Sequence, residues 1–280
     1  MRSGFATLIG RPNVGKSTLL NRMLGQKVSI TSPVAQTTRG QVRGVLTRPD
    51  VQIVFVDTPG IHKPRTLLGS RLNQTATDAL GEVDLTLFVL DATAPVGRGD
   101  RFVSGRLVPA QTICVVNKVD AAGRGEVLEQ LRAASDLAEF AEFFPVSART
   151  GDGVAELLDA VAARMPEGPL LYPADMVTDV PEAFWVAELV REQLLAVTHD
   201  EVPHSIACRV TEWEWPRIRC EILVERDSQK GIVIGRGGEV LKQVGSRVRA
   251  QLPEGAYLEL FVKVDRNWQS RPKALERLGY

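Results

Sequence analysis

The chain has 280 residues, 44% of them hydrophobic and 24% charged, with 34 basic and 34 acidic side chains and a formal net charge of zero. That length favours two domains over one, the composition excludes a disordered or fibrous chain, and the charge balance confines any nucleic-acid surface to a local patch. Cys114, Cys208 and Cys220 are far apart and fit neither a metal spacing nor a disulfide framework, which suits reduced thiols in the cytoplasm. No apolar run approaches the roughly 18 residues a spanning helix needs. The N-terminus runs directly into a predicted strand, so no secretory leader is expected.

Residues 5–9 form a short apolar run, and Gly10-Arg11-Pro12-Asn13-Val14-Gly15-Lys16-Ser17 follows before a helix opens at Thr18. A strand, a glycine-bearing loop and a helix in that order are the setting of the G-x-x-x-x-G-K-[ST] phosphate-binding loop. Gly10 and Gly15 accept backbone shapes that side-chain-bearing residues resist, so the loop's amides can turn onto phosphate oxygens at a helix N-terminus. Lys16 is placed to reach the β- and γ-phosphates, and the Ser17 hydroxyl to ligate Mg²⁺.

Residues 27–31 read as a short extended piece, and residues 32–40 are polar and turn-rich. After a phosphate-binding loop, such a segment reads as a switch whose threonine completes the Mg²⁺ shell when a γ-phosphate is present. Residues 42–46 and 51–56 are predicted strands around the turn Arg48-Pro49-Asp50. The second strand ends in Asp57-Thr58-Pro59-Gly60. An Asp there can hold Mg²⁺ through water, and the Gly60 amide can sense the γ-phosphate.

Residues 67–80 have helical spacing, and residues 84–91 are almost continuously apolar, the pattern of a parallel strand covered on both faces. Residues 112–116 repeat that pattern and end in Asn117-Lys118-Val119-Asp120. The Asp120 carboxylate can accept from both the ring N–H and the exocyclic amine of guanine, donors that adenine does not present together, so the site would reject the wrong base strongly. Asn117 is expected at the opposite ring edge, with the Lys118 stem over the base face. A backbone amide at Ser147-Ala148, after residues 143–146, is expected to meet the guanine carbonyl oxygen. A closing helix over 153–164 ends at Met165-Pro166. The alternation predicts a doubly wound α/β domain of the P-loop NTPase kind, mostly parallel, over residues 1–165, with its ligand at the carboxyl ends of the strands.

Residues 166–181 are proline-rich and read as a linker to a second domain over 182–280. There a helix over 183–197 is followed by a hairpin of strands 206–213 and 217–224 around Glu214-Trp215-Pro216, then Lys230-Gly231-Ile232-Val233-Ile234. Next come Gly235-Arg236-Gly237-Gly238, a helix from Glu239 to about Leu252, and a last strand over 257–264. That order is the order of a smaller α+β domain of the type II KH topology, whose G-x-x-G loop clamps single-stranded nucleotides. Between Arg236 and Arg249, the bases Arg236, Lys242, Arg247 and Arg249 stand against Glu239 alone, four minus one. Lys230, Gly235, Arg236, Gly237, Gly238, Lys242 and Arg247 are the expected RNA-binding residues. Trp213, Trp215 and Trp268 either stack on bases or pack internally.

Taken together, residues 10–17, Gln36-Thr37-Thr38-Arg39, Asp57 to Gly60 with Ile61-His62-Lys63-Pro64, Asn117 to Asp120 and the block 230–238 resemble the Era family of GTPases over essentially the full length. The resemblance implies GTP hydrolysis coupled to small ribosomal subunit assembly, GTP, GDP and Mg²⁺ as ligands, and a KH domain binding near the 3′ end of 16S ribosomal RNA. It implies a monomer, with peripheral contact at the inner face of the cell membrane carried over more weakly. It selects Thr38 over Thr37 as the Mg²⁺ ligand beside Ser17 and Asp57, with Lys16, Thr38 and Gly60 at the reacting phosphate. By the same likeness Asn13 implies K⁺ beside the phosphates. Ras-like enzymes carry a water-orienting Gln directly after the D-x-x-G glycine. Here that residue is Ile61, so a slow basal rate is expected, and an RNA-binding module with a structural, essentially non-hydrolysing nucleotide site stands as the alternative.

Overall fold

The computed structural model describes all 280 residues, which divide into two compact units. The first comprises Met1–Thr31, Thr38–Pro64 and Gly69–Asp179, and the second Ser32–Thr37, Arg65–Leu68 and Val180–Tyr280.

The first unit is built on a six-stranded sheet in the order β2-β3-β1-β4-β5-β6. Its strands are β1 (Arg2–Ile9), β2 (Val42–Thr47), β3 (Val51–Asp57), β4 (Leu85–Asp91), β5 (Thr112–Asn117) and β6 (Glu142–Pro145). All neighbours pair in parallel except β2, which runs antiparallel to β3. β3 and β5 are buried along their whole lengths, as continuous apolar runs in a helix-covered parallel sheet must be. The helices are α1 (Lys16–Leu24), α2 (Leu67–Asp78), α3 (Arg98–Ser104), α4 (Arg124–Ser135) and α5 (Val154–Arg164). Ile9, Phe88 and Cys114 pack with Ala76 of α2, Val103 of α3 and Ala134 of α4, while α1 and α5 pack on each other and on β3. The result is the predicted α/β architecture, with every loop of interest at the carboxyl ends of the strands.

Two stretches differ from expectation. Residues 27–31 form no strand, because Asn21 takes over their backbone polar groups: its Oδ1 accepts from the Val28 and Ser29 amides at 2.9 and 3.0 Å, and its Nδ2 donates to the Ser29 carbonyl at 2.8 Å. The proline-rich stretch expected as a linker lies against the first unit as far as Asp179. The Val45 amide donates to the Val177 carbonyl at 2.7 Å, and the Thr178 hydroxyl to the Arg43 carbonyl at 2.7 Å. The fully buried Gln52 accepts from the Leu171 and Tyr172 amides at 2.7 and 2.9 Å and donates to the Tyr172 carbonyl at 2.9 Å. Prolines lower helix and strand propensity, but they do not stop a chain from covering the unpaired edge of β2, which would otherwise be open to another chain.

The second unit carries a three-stranded sheet in which β7 (Ala207–Glu214) is antiparallel to β8 (Arg217–Val224) and β9 (Tyr257–Val264) is parallel to it. Its helices are α6 (Glu182–Val197), α7 (Val202–Ser205), α8 (Asp227–Ile234), α9 (Glu239–Arg249) and α10 (Pro272–Arg277). Val190 and Leu194 of α6, Val233 of α8 and Val244 and Val248 of α9 close over Ile218 and Ile222 of β8. The short α7 and α10 have too few residues to give a periodic signal in the sequence. Trp268 is fully buried and its Nε1 donates to the Ser205 carbonyl at 2.9 Å, so it packs internally, whereas Trp215 is 52% exposed. All three cysteines are free and buried, and burial pushes the Cys114 thiol up to about 12. No helix is long and apolar enough to cross a membrane.

Candidate functional site

The carboxyl ends of β1, β3, β5 and β6 bring the four predicted loops of the first unit together. Gly15 adopts φ +96°, and a Cβ there would lie 2.3 Å from Asn117 Nδ2. That close approach is used: Asn117 Nδ2 donates to the Val14 carbonyl at 2.9 Å and Asn117 Oδ1 accepts from the Ala148 amide at 2.9 Å. Asn117 therefore staples the phosphate loop to the base loops, and the second hydrogen of its Nδ2 is not used by these two bonds. Lys118, at φ 69°, donates through Nζ to the Asn13 carbonyl at 2.7 Å and to Asp91 Oδ2 at 2.6 Å. Burial raises the Asp91 carboxyl, but the hydrogen bonds from Lys118 and Thr93 outweigh it and hold the group below its usual range.

Asp120 accepts from the Ser147 hydroxyl at 2.6 Å through Oδ1, with the Arg149 guanidinium 3.8 Å from Oδ2. The Ser147 amide is committed to the Asp152 carbonyl at 2.9 Å, which leaves the Ala148 amide as the donor facing Asn117. Around the phosphate loop, Arg11 pairs with the buried Asp100 at 2.7 Å, Asn13 is exposed at φ 65°, and Pro12 meets Gly60, where a Cβ would sit 2.6 Å from Pro12 N. Only glycine lets the Asp57 to Gly60 loop come that near. The Thr58 hydroxyl donates to the Leu8 carbonyl at 2.8 Å, Pro59 is buried beside it, and Thr18 is half-buried in the first turn of α1. Ile61 is 3% exposed, packs with Ile9 and Phe88, and donates its amide to the Gly10 carbonyl at 3.2 Å. Its side chain faces the core, so it has no part in orienting water.

Lys16 is 6% exposed, and its Nζ donates to the Gly10 and Arg11 carbonyls at 3.3 and 3.1 Å. Burial lowers its pKa to about 8 against the opposing pull of Asp57. Burial likewise pushes the Asp57 carboxyl above its usual range, against Lys16 and the hydroxyls of Ser17, Ser29 and Thr38. Ser17 Oγ donates to Asp57 Oδ2 at 2.6 Å and lies 2.9 Å from Thr38 Oγ1, and Ser29 Oγ donates to the same carboxylate oxygen at 2.9 Å. Asp57 Oδ1 is buried with no hydrogen-bond partner. An orphaned buried carboxylate oxygen beside two hydroxyls is a hard-oxygen set that fits Mg²⁺, an ion that takes few protein ligands and keeps its remaining positions for phosphate and water. Ser29, Asp91 and Asn21 escape a reading of the sequence alone. An acid at the end of a parallel strand marks Asp91, but no spacing marks the other two.

In the second unit Gly235, Gly237 and Gly238 all have positive φ, at 75°, 61° and 82°. A Cβ on Gly235 would strike Val240, while Gly237 and Gly238 face open space within 4 Å, which leaves the loop's outer side free for a nucleic-acid backbone. Arg236 and Lys242 are exposed and Lys230 is half-buried. Lys242 and Arg247 are five residues apart, about 140° around a helix, so the basic residues of α9 do not form one stripe. Lys242 shares its flank with Arg249, and Arg247 lies on the other.

A family model described as 50S ribosome-binding GTPase matches residues 5–118, and a KH domain model matches residues 201–269. A protein named GTPase Era from Heliobacterium modesticaldum is 46% identical over 291 residues, covering 100% of this chain and 97% of that one. Another of that name from Leuconostoc citreum is 44% identical over 292 residues, covering 100% and 96%. Among solved structures, Era in complex with MgGDPNP and nucleotides 1506-1542 of 16S ribosomal RNA superposes with a TM-score of 0.96 at 39% identity, covering 100% of this chain and 99% of that one. A single-substitution variant of Aquifex aeolicus Era bound to GDP.AlF4- gives 0.95 at 39% identity with the same coverage.

Proposed function

The chain belongs to the Era family of GTPases, and we propose that it is a GTP-hydrolysing switch whose KH domain binds the 3′ region of 16S ribosomal RNA during small ribosomal subunit assembly. The observation that carries this reading is the convergence of Lys16, Ser17, Thr38 and Asp57, with Asp57 Oδ1 left unpartnered in a buried site. In that arrangement Gly10 to Thr18 wrap the phosphates, the Lys16 ammonium meets the charge that develops on the transferred group, and the Gly60 amide reports the γ-phosphate. Ser17, Thr38 and Asp57 would hold Mg²⁺, which neutralises phosphate charge when bound. Asp120 reads guanine, with Ser147 and Asn117 fixing the loops that carry it. Because Ile61 is buried, main-chain groups or a bound partner position the attacking water, and the basal rate is slow.

Asn13, exposed at the lip of the loop, is the residue proposed to admit K⁺ beside the phosphates. Turnover several-fold faster in potassium than in sodium chloride is expected, and equal turnover removes the ion. On the RNA side, Arg236→Gln is expected to weaken binding across sequences and to reduce the slope of log affinity against log salt by about 0.7, the value for one phosphate contact on a single strand. An unchanged slope would place Arg236 away from the backbone. Single-turnover GTP hydrolysis with and without an RNA of the 16S 3′ end tests the enzyme reading. Measurable hydrolysis that RNA alters supports it, and none in either condition favours an RNA-binding module with a structural nucleotide site.

A further inference from the structure

Arg191 of α6 is a fully buried cation. Glu188, one turn earlier, holds its guanidinium in a two-point grip, with Nε on Oε1 at 2.8 Å and Nη2 on Oε2 at 2.5 Å. Nη2 also donates to the main-chain carbonyl of Thr37, whereas Nη1 is buried with no partner. A buried guanidinium with a free nitrogen is not arranged to maximise its own hydrogen bonding. What it does satisfy is one carbonyl in the segment Ser32–Thr37, which belongs to the same compact unit as α6. That segment is itself a tight turn: the Thr37 hydroxyl donates to the Val34 carbonyl at 2.6 Å, and the Val34 amide to the Ser32 hydroxyl at 3.0 Å.

The next residue is Thr38. The carbonyl of Thr37 and the amide of Thr38 lie in one rigid peptide plane, so a group that fixes the Thr37 oxygen also fixes the Thr38 N–Cα bond and leaves φ and the side-chain torsion as the freedoms that remain between that plane and the Thr38 hydroxyl. Thr38 Oγ1 then lies 2.9 Å from Ser17 Oγ and 3.4 Å from Asp57 Oδ2, inside the oxygen cluster that fits Mg²⁺. We propose that Arg191 is a positioning residue for Thr38: by gripping the Thr37 carbonyl it presets the peptide plane that delivers the Thr38 hydroxyl to the metal, and so favours the triphosphate-bound state over the diphosphate-bound one. The selectivity follows because ordering of such a threonine depends on the γ-phosphate and its Mg²⁺, and an anchor that already holds the chain lessens the entropy lost on ordering. The inference rests on the proposed GTPase reading.

The test uses the full chain with fluorescent analogues of GDP and of the non-hydrolysable triphosphate GDPNP, each titrated at several Mg²⁺ concentrations. Arg191→Met removes the donor and keeps much of the stem. It is expected to weaken GDPNP binding about tenfold, the worth of one charge-assisted hydrogen bond, to raise the Mg²⁺ concentration needed for half-maximal GDPNP binding, and to leave GDP binding within twofold. Arg191→Lys, which can still reach one acceptor, is expected to recover part of the loss. Glu188→Gln keeps the shape of the grip but weakens its hold on the guanidinium, and should show the same selective defect more mildly if Arg191→Met fails to fold. Equal losses for both nucleotides, or no loss for either in a folded variant, overturn the proposal. Absence of guanine nucleotide binding by the wild-type chain would instead sink the GTPase reading itself.

Discussion

Lys16→Met is expected to lower the single-turnover rate of GTP hydrolysis by roughly 10²- to 10³-fold, the loss found when one preorganised donor to a developing negative charge is removed. The side chain is buried at 6% exposure with its pKa lowered to about 8, so the site already bears the cost of placing an ammonium where it is poorly solvated. A strand-to-helix turn that needed only shape would have no use for that charge. In the free protein Nζ rests on the carbonyls of Gly10 and Arg11, and a bound triphosphate offers it far stronger acceptors. Methionine keeps most of the stem volume, so a folded variant, checked by circular dichroism, isolates the ammonium. Hydrolysis at the wild-type rate would show that Lys16 does not touch the transferred group.

Asp120→Asn is expected to weaken GDP and GTP alike by roughly 10²- to 10⁴-fold, the worth of two hydrogen bonds to a charged acceptor, and to improve binding of xanthosine nucleotides. Both follow from donor and acceptor matching. In the proposed contact the carboxylate accepts from two guanine nitrogens, whereas an amide places a donor against one of them and, against the extra carbonyl of xanthine, that donor finds an acceptor. The scaffold should survive, because the Asn carbonyl can still accept from the Ser147 hydroxyl, which lies 2.6 Å from Asp120 Oδ1 in the wild type. Calorimetry with both nucleotide series reads the outcome, and unchanged GDP affinity would mean that Asp120 does not contact the base.

The places of the loops that carry these two residues were legible because phosphate and base contacts demand fixed spacing on adjoining elements. The loop from Gly10 to Ser17 must join a strand to a helix N-terminus, and Asn117 to Asp120 must end a buried strand. The sheet itself was legible for a similar reason: the apolar runs that became β3, β4 and β5 have no other way to satisfy both faces. What the chain hid are contacts made across long sequence separations without periodicity. Gln52 binds the backbone at Leu171 and Tyr172, about 120 positions away, so a segment whose prolines suggest a linker becomes the cover of a sheet edge. Asp91 meets Lys118, and Arg191 meets Thr37, through partners that no local pattern announces. Asn117 carries a contact hidden in the same way, since the sequence shows its residue type but not that it bridges Val14 and Ala148.

Ile61 shows the opposite relation. Its chemistry alone excludes a water-orienting role, and its burial among Ile9 and Phe88 gives the physical reason, because a polar side chain there would lose its solvation without gaining a partner. Any group that orients water at this site therefore lies outside the Ile61 side chain.

The most direct test of the switch is the affinity of the full-length protein for an RNA fragment of the 16S 3′ end, measured at fixed salt with Mg²⁺ and either GDPNP or GDP bound. A nucleotide-driven switch requires affinities that differ by about tenfold or more, since a ligand shifts a two-state equilibrium only through differential affinity. Identical affinities with both nucleotides bound would contradict it.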